Sequence, residues 1–481
     1  GNSHGEQLVN NDASRFFFGV GAQWSARRAF RAVYVAGFIA LISDGNGFTT
    51  LMVIDIPDIQ ELALTASIGV AVLIFTNLLL MPILLSYTGL TQACMNYIRR
   101  RQERPARLWP FIARFAKPPF APVTIVVAIA LFAVGFVVSK ELRIGDLDPG
   151  APELRPDSRY NLDNAFLTEN YSTSTDVFVV MVTTPVQACG DYSTVSAIDR
   201  FQEVMRNTHG VQSVISLVNI SKRVTMAMNE GNPKWHALSR NRYILNNSLS
   251  LVPSNLINTD CSMVPVLIFL NDHKAETLQA VTRDVEAFAA EYNSDDVQFV
   301  LAAGNSGIES ATNIVISKAQ YQMLALVYSV VAFLVFLTFR SWRAVVCIIV
   351  PLALTSVLGQ ALMAALGIGV KVATLPVIAL GVGIGVDYGL YIYSKMNTYL
   401  KRGLDVFTSY TKTLRTTGMA VGFTGITLAI GVGTWIFSPI KFQADMGLML
   451  TFMFLWNMLG ALTLLPALAR YLVEPTAPVR G

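Results

Sequence analysis

The sequence predicts a polytopic α-helical membrane protein that carries one α+β domain outside the membrane. Charged residues occupy only 14% of its 481 positions, against roughly 25% in soluble domains. The deficit is concentrated in long apolar runs, and residues 319–339 contain no charge at all. The third observation is an internal repeat, because residues 1–87 align with 385–471 in one frame without a gap.

Eight apolar runs are long enough to cross a hydrocarbon core of about 30 Å as helices. Only two of them contain a charged residue, one Asp in each, and buried helices of soluble proteins seldom repeat such lengths. We therefore expect eight spans. They lie near 32–54, 63–86, 120–139, 319–339, 344–366, 372–394, 416–437 and 446–469.

The distribution of Lys and Arg predicts the orientation of these spans. If the runs alternate in direction, the Arg-rich loop at 87–118, the Arg340–Arg343 turn and the Lys/Arg-rich loop after residue 394 share one side. Such loops are typically cytoplasmic. The opposite side receives segment 140–318, which has 14 Lys and Arg against 21 Asp and Glu. This segment is therefore predicted to be an extracytoplasmic domain.

The outer segment has alternating strand and helix patterns. Helical spacing predicts helices over Ser193–Asn207 and Ala275–Tyr292, and 222–260 is expected to be irregular. The order β-α-β, repeated once, suggests a ferredoxin-like α+β fold. Runs rich in β-branched and aromatic residues predict four strands, at 175–183, Val211–Val218, 263–270 and Val297–Ala302.

The four cysteines are distributed according to the predicted topology. Cys189 and Cys261 lie in the outer domain, whereas Cys94 lies in the cytoplasmic loop and Cys347 in a span. A pair confined to an oxidising compartment suggests one disulfide, and two free buried thiols are the alternative.

The repeat predicts a larger protein with pseudo-twofold symmetry. Arg31 pairs with Arg415 and Pro82 with Pro466 in the same frame. The second copy contains one span, the outer domain and five spans, so a complete first copy would need about 280 more residues before Gly1. We expect twelve spans and two outer domains in the whole protein.

The predicted organisation follows the order of the chain. It consists of 1–87 as the last two to three spans of the first transmembrane half, 88–118 as a cytoplasmic loop with an interfacial helix, 119–139 as span seven, 140–318 as the outer domain, 319–471 as spans eight to twelve, and 472–481 as a cytoplasmic tail.

This plan resembles the resistance–nodulation–division (RND) superfamily. The segment Gly381-Val-Gly-Ile-Gly-Val-Asp-Tyr-Gly-Leu390 is similar to the glycine-rich Asp-Tyr signature of its MMPL (mycobacterial membrane protein large) and hopanoid-transporter branch. The resemblance implies a porter-type periplasmic domain and a transporter of hydrophobic or lipid-like molecules, driven by the proton-motive force, in a bacterial inner membrane. It implies no cofactor. Expected partners are the substrate, protons, the membrane and accessory proteins of the periplasm or outer membrane.

Asp387 is the first candidate for proton transfer. An Asp in mid-span costs roughly 2.5–3.5 kcal/mol on insertion scales and is usually retained for a proton, an ion or a partner. Small residues beside it let another helix approach. These residues are Gly381, Gly383, Gly385 and Gly389.

Repeat symmetry points to the partner of this aspartate. The counterparts of Asp387 and Tyr388 are Ser3 and His4, so a symmetric acidic pair is absent. The hypothesis is that Asp387 takes and releases protons with His4 as its partner and Tyr388 or Ser3 in support. A fixed polar bridge between two helices is the alternative.

Asp44 is a second candidate. It lies near the middle of run 32–54 within Ser43-Asp44-Gly45-Asn46-Gly47, which suggests a locally opened helix that faces the bundle or water. Its repeat counterpart is Leu428, so only one half carries the charge. Functional and structural interpretations are equally favoured, and the sequence leaves open whether His4 or Asp44 is the partner of Asp387.

Other function classes have weaker signals. No GxxxxGK[ST] loop occurs, which disfavours ATP-driven transport, and the basic loops follow topology rather than indicating nucleic-acid binding. His209, His236 and His273 lack zinc spacing and are interpreted as surface or turn residues. The main alternative to a pump is a sterol-sensing, Patched-like lipid receptor or scaffold, followed by a protein-translocation helper. The intramembrane Asp and His favour a pump over these two alternatives, and the expected protein is a secondary active transporter rather than an enzyme.

Overall fold

The structure is a computed structural model that describes residues 22–88 and 108–473. The chain divides into two compact units. One contains the described residues up to Leu142 together with those from Ile316 onward, and the other is Arg143–Val315. Ser3, His4 and Cys94 lie outside the described residues, so the predictions made for them stay predictions.

The first unit begins with helices that differ in their surroundings. Helix α5 (Phe120–Ser139) has no charged residue and exposes large apolar side chains on several faces, as expected of a helix that faces lipid. The predicted short helix near Leu108 is present. The helices are α1 (Ala22–Thr49), α2 (Pro57–Ile74), α3 (Met81–Thr88), α4 (Leu108–Ala113) and α5 (Phe120–Ser139).

The second unit is built around a four-stranded antiparallel sheet of order β2-β3-β1-β4. The four predicted strands and both predicted helices are confirmed, with ends that shift by a few residues. The elements are α6 (Arg159–Asn170), β1 (Val177–Thr183), α7 (Tyr192–Arg206), β2 (Val211–Ile215), α8 (Leu217–Ala227), α9 (Arg242–Leu249), β3 (Met263–Leu270), α10 (Ala275–Tyr292) and β4 (Gln298–Ala303).

Two details of the outer domain differ from the sequence prediction. Strand β2 ends at Ile215 rather than at 218, because Ser216 caps helix α8 and its hydroxyl accepts from the Val218 amide at 3.1 Å. Segment 222–260 is not wholly irregular, since it contains the end of α8 and all of α9. Buried polar contacts hold these helices, such as the 2.7 Å hydrogen bond between the hydroxyls of Ser221 and Ser248.

The core of the outer domain lies between the sheet and helices α7 and α10. Phe201 of α7 contacts Phe288 of α10 and Phe299 of β4, with ring centroids 5.1 and 4.9 Å apart. Aromatic pairs at such distances add to the stabilisation from apolar burial. A disulfide joins Cys189 and Cys261, whose Cα atoms are 5.2 Å apart.

The first unit continues after the outer domain with the remaining long helices. Helix α13 (Leu375–Leu400) is buried over most of its length and forms the centre of this unit. Helix α12 (Trp342–Leu366) is followed by Gly367, where a φ of +66° favours glycine. The helices are α11 (Asn305–Phe339), α12 (Trp342–Leu366), α13 (Leu375–Leu400), α14 (Val406–Thr413), α15 (Met419–Gly433) and α16 (Lys441–Leu472).

Seven helical segments among the described residues are long and apolar enough to cross a membrane. They correspond to seven of the eight predicted runs. The remaining run, 32–54, falls on α1, which is helical but is not one of the seven. Arg27, Arg28 and Arg31 together with the polar cluster around Asp44 lower its hydropathy. The seven are Pro57–Leu84, Phe120–Ser139, Asn305–Phe339, Trp342–Leu366, Leu375–Leu400, Val406–Phe437 and Lys441–Leu472.

Candidate intramembrane carboxylate site

Helices α1 and α13 approach each other closely at a pair of glycines. A Cβ atom added to Gly47 would lie 3.5 Å from the Cα of Gly383 and 3.6 Å from the carbonyl oxygen of Ala379. A Cβ added to Gly383 would meet the Gly47 Cα at 3.5 Å and the Ser43 carbonyl at 3.6 Å. The two helices therefore run antiparallel and nearly in backbone contact, as small residues permit between helices in membranes.

This approach brings two aspartates together. Asp44 lies about one helical turn before Gly47, and Asp387 lies about one turn after Gly383, so antiparallel packing places both at the same level. The two carboxylates interact electrostatically. Asp387 is 3% exposed, and Oδ1 of Asp44 is inaccessible to solvent. The site therefore holds two acidic groups that are shielded from solvent.

The other glycines of α13 face different helices. Gly381 and Gly385 lie against Met453 and Asn457 of α16, and Gly389 lies 3.1 Å, measured from an added Cβ, from Ile348 of α12. Repeat symmetry predicted that the segment of Ser3 and His4 would be the neighbour, but this segment lies outside the described residues. The structure instead shows α1, α12 and α16 against this glycine-rich helix.

Asn457 joins the site from α16. Its Nδ2 donates a hydrogen bond of 2.7 Å to the carbonyl oxygen of Gly381, and its side chain is 2% exposed. Asn457 was not among the predicted site residues. The signal was present, because Asn457 is a polar side chain in the middle of the apolar run 446–469.

Several polar atoms around the aspartates are buried without a hydrogen-bond partner among the described residues. Burying such atoms costs free energy, so they are uncommon in folded proteins unless a site uses them. They come from α1, α13 and α16. The atoms are Ser43 Oγ, Asp44 Oδ1, Asn46 Nδ2, Tyr388 OH and Asn457 Oδ1.

Among the residues predicted for proton transfer, the structure brings Asp387, Tyr388 and Asp44 together. The sequence left open whether His4 or Asp44 is the partner of Asp387, and the repeat pointed to His4. No local pattern links residues 44 and 387, which lie more than 300 positions apart. Their pairing depends on how α1 packs on α13.

One histidine of the outer domain also differs from its prediction. His273 was expected to be a surface or turn residue rather than a ligand. It does lie in the loop between β3 and α10, but its side chain is only 4% exposed, so it is not a surface residue. Burial alone lowers the pKa of His273, but the hydrogen bond to Asp176 and the charges of Glu309, Asp176 and Asp146 outweigh it and raise the pKa to about 9. Acidic groups from distant parts of the chain surround this imidazole.

A model of the MMPL family matches residues 20–123 and 159–479. The chain belongs to the MMPL family. The matched ranges include both aspartates of the site as well as the outer domain from residue 159 onward. The resemblance inferred from the glycine-rich Asp-Tyr segment is therefore confirmed.

Curated relatives of this MMPL-family chain are distant and mostly longer. It is 28% identical over 198 residues to the probable trehalose monomycolate exporter MmpL3 of Mycobacterium leprae, which covers 40% of the chain and 21% of that protein. It is 23% identical over 283 residues to the putative membrane protein MJ1562 of Methanocaldococcus jannaschii, covering 58% of the chain and 71% of the relative.

Among solved structures, the chain is similar to SecDF in its super-membrane-facing form. The TM-score is 0.51 at 13% sequence identity, over 97% of this chain and 53% of the SecDF chain. At such low identity the likeness concerns the fold. The chain thus spans about half of that protein and a smaller part of the exporter.

Proposed function

We propose that this MMPL-family protein is an RND-type transporter, driven by the proton-motive force, that moves a hydrophobic or lipid-like substrate from the inner membrane or the periplasm. The observation that carries the proposal is the buried Asp44–Asp387 pair at the glycine contact of α1 and α13. In this proposal the protein is a secondary transporter and not an enzyme, and the outer domain lies in the periplasm.

The pair suits a proton-coupled conformational change. Two carboxylates in a region of low dielectric repel each other strongly when both are ionised, so protonation of one relieves the repulsion. The contact between Gly47 and Gly383 has no interlocking side chains that would resist a small separation of the helices. Binding and release of a proton would therefore change the packing of α1 on α13.

The relay we propose uses Asp387 as the proton carrier and Asp44 as its charge partner. Tyr388 lies beside it with a buried hydroxyl, and Asn457 holds the backbone of α13 at Gly381. His4 and Ser3 stay candidates for the cytoplasmic side of the relay. The pseudo-twofold repeat and the ferredoxin-like outer domain also belong to the proposal, and the strand order β2-β3-β1-β4 supports the latter.

Support for the substrate class comes from the relatives. The M. leprae relative is named as an exporter of trehalose monomycolate, which is a lipid. For this chain we propose the same general class, a molecule with a large apolar part. Apolar side chains along the outer faces of α2 and α5 offer lipid-facing surfaces beside the bundle.

The test measures proton movement in proteoliposomes of phosphatidylethanolamine and phosphatidylglycerol that contain a pH-sensitive dye. Asp387→Asn keeps the size of the side chain and removes its titration, and we expect it to abolish proton flux. Asp44→Asn should strongly reduce the flux. The control is Asp55→Asn, at an exposed acidic residue outside the site, which should behave like the wild type.

Lipid movement is measured in the same vesicles with a fluorescent phospholipid as the probe. Lipid flux that depends on the pH gradient and collapses with an uncoupler supports the pump. Full gradient-driven flux by the Asp387→Asn protein would refute the relay. Lipid binding without any gradient-dependent flux in the wild type would favour the receptor or scaffold.

A further inference from the structure

Four ionisable side chains of the outer domain meet where the strands of its sheet end, at the beginning of β1 and the ends of β3 and β4. Asp176 precedes β1, His273 follows β3 and Glu309 follows β4. Because β1 runs antiparallel to β3 and β4, its first residues lie beside the last residues of both. Asp146 is held near the same strand ends, because its backbone carbonyl accepts a 3.0 Å hydrogen bond from the backbone amide of Ala275.

Three of these side chains have potential metal-ligand atoms that lie close together. One carboxylate oxygen of Asp146, one of Glu309 and an imidazole nitrogen of His273 all lie within 4.8 Å of each other. Asp176 Oδ1 lies 2.9 Å from Nδ1 of His273, which leaves Nε2 as the nitrogen available to a cation. A carboxylate on the second nitrogen is the usual partner of a metal-ligating histidine, since it fixes the ring and its tautomer.

We propose that Asp146, His273 and Glu309 form a zinc-binding site, with Asp176 as the residue that positions the imidazole. Zinc binds nitrogen and oxygen ligands at about 2.0–2.2 Å, which places tetrahedral ligand atoms roughly 3.3 Å apart. Side-chain rotations that contract the cluster by about 1.5 Å or less would reach this geometry. Three protein ligands leave a fourth position for water or another small ligand.

Burial and charge favour a divalent cation at this place. Oε1 of Glu309 is inaccessible to solvent and has no hydrogen-bond partner among the described residues. The carboxyl groups of Asp146, Asp176 and Glu309 converge on one imidazole, and a divalent cation would neutralise the negative charge that they carry when ionised.

The ligand set also favours a transition metal. Calcium and magnesium take oxygen ligands, whereas an imidazole nitrogen suits zinc and its neighbours. A cavity of about 380 Å³ opens onto the cluster and supplies a route of entry, with Tyr160 and Asn305 on its wall beside the ionisable groups. Within the outer domain the ion would link the segment around Asp146, near the beginning of the domain, to Glu309 in the first turns of α11.

The experiment uses the full chain in detergent with any affinity tag removed, dialysed against ZnCl₂ and analysed for bound metal. We expect one zinc per chain in the wild type. His273→Ala and Glu309→Gln should each lose this stoichiometric zinc, and Asp176→Asn should weaken it about 10- to 100-fold. His236→Ala removes an exposed histidine of the same domain and should leave the zinc in place.

Two further measurements keep the test decisive if one variant folds poorly. Circular dichroism and size-exclusion chromatography identify such a variant, and Glu309→Gln, which keeps side-chain size, then replaces His273→Ala. Zinc should also raise the thermal unfolding temperature of the wild type but not of Glu309→Gln. The proposal is overturned if the wild type binds no zinc, if folded His273→Ala retains it, or if excess magnesium displaces it.

Discussion

Two alanine substitutions two residues apart on α13 should differ clearly in their effect on stability. At Gly383 an added Cβ would lie 3.5 Å from the nearest atom, which is ordinary van der Waals contact. At Gly385 the added Cβ would collide with the Asn457 side chain and displace it. Any displacement of Asn457 also weakens its 2.7 Å hydrogen bond to the Gly381 carbonyl.

The magnitude follows from comparing the two sites. Both substitutions gain the same helix propensity, up to about 1 kcal/mol for Gly→Ala, so this contribution cancels in the difference. Overpacking of a close contact typically costs about 1–3 kcal/mol. Gly383→Ala should therefore leave the free energy of unfolding unchanged or raise it. The Gly385→Ala variant should be less stable than the Gly383→Ala variant by about 1–3 kcal/mol.

The assay is unfolding in mixed micelles by titration with sodium dodecyl sulfate, followed by tryptophan fluorescence. Adding Asn457→Ala should recover part of the loss in Gly385→Ala, because it removes the colliding atoms. Adding it to Gly383→Ala should not bring any recovery. Equal stabilities of the two glycine variants, or no recovery in the double variant, would refute the packing assigned to α13 and α16.

Two further predictions concern other parts of the chain. Replacing Cys189 and Cys261 together by Ser removes a cross-link across 72 positions and should cost the outer domain about 4 kcal/mol, which denaturant titration can measure and reduction of the wild type should reproduce. Asp405→Ala removes the side-chain cap of α14, where Oδ2 accepts from the Thr408 amide at 3.1 Å, and should cost about 0.5–2 kcal/mol, with Asp405→Asn close to the wild type.

The pH dependence of this cap has a definite sign. The hydrogen bond from Thr408 lowers the pKa of Asp405 below its ordinary value of 3.8. Its stabilising contribution is therefore present above pH 3.8 and is lost as the pH falls through the lowered value. An unfolding free energy difference between wild type and Asp405→Ala that grows toward acid pH would contradict the assignment.

The apolar runs and the strand patterns of this protein could be found from sequence, because each depends on neighbouring residues. A run such as 120–139 has to be a helix to cross a membrane, since every backbone polar group needs a partner within the segment. The strand at 263–270 alternates inward and outward residues, and this period of two is visible without the fold. Helix α8 was missed because its beginning depends on a cap at Ser216.

What the sequence alone determined is the membrane class, the α+β character of the domain at 140–318 and the identity of the polar residues placed in apolar runs. The tertiary structure decided which of them meet. Asp44 meets Asp387 because two glycines allow α1 and α13 to touch, and His273 meets Asp146, Asp176 and Glu309 because an antiparallel sheet returns four distant segments to one edge. Contacts between residues far apart in the chain arise from packing and topology, and no local pattern records them.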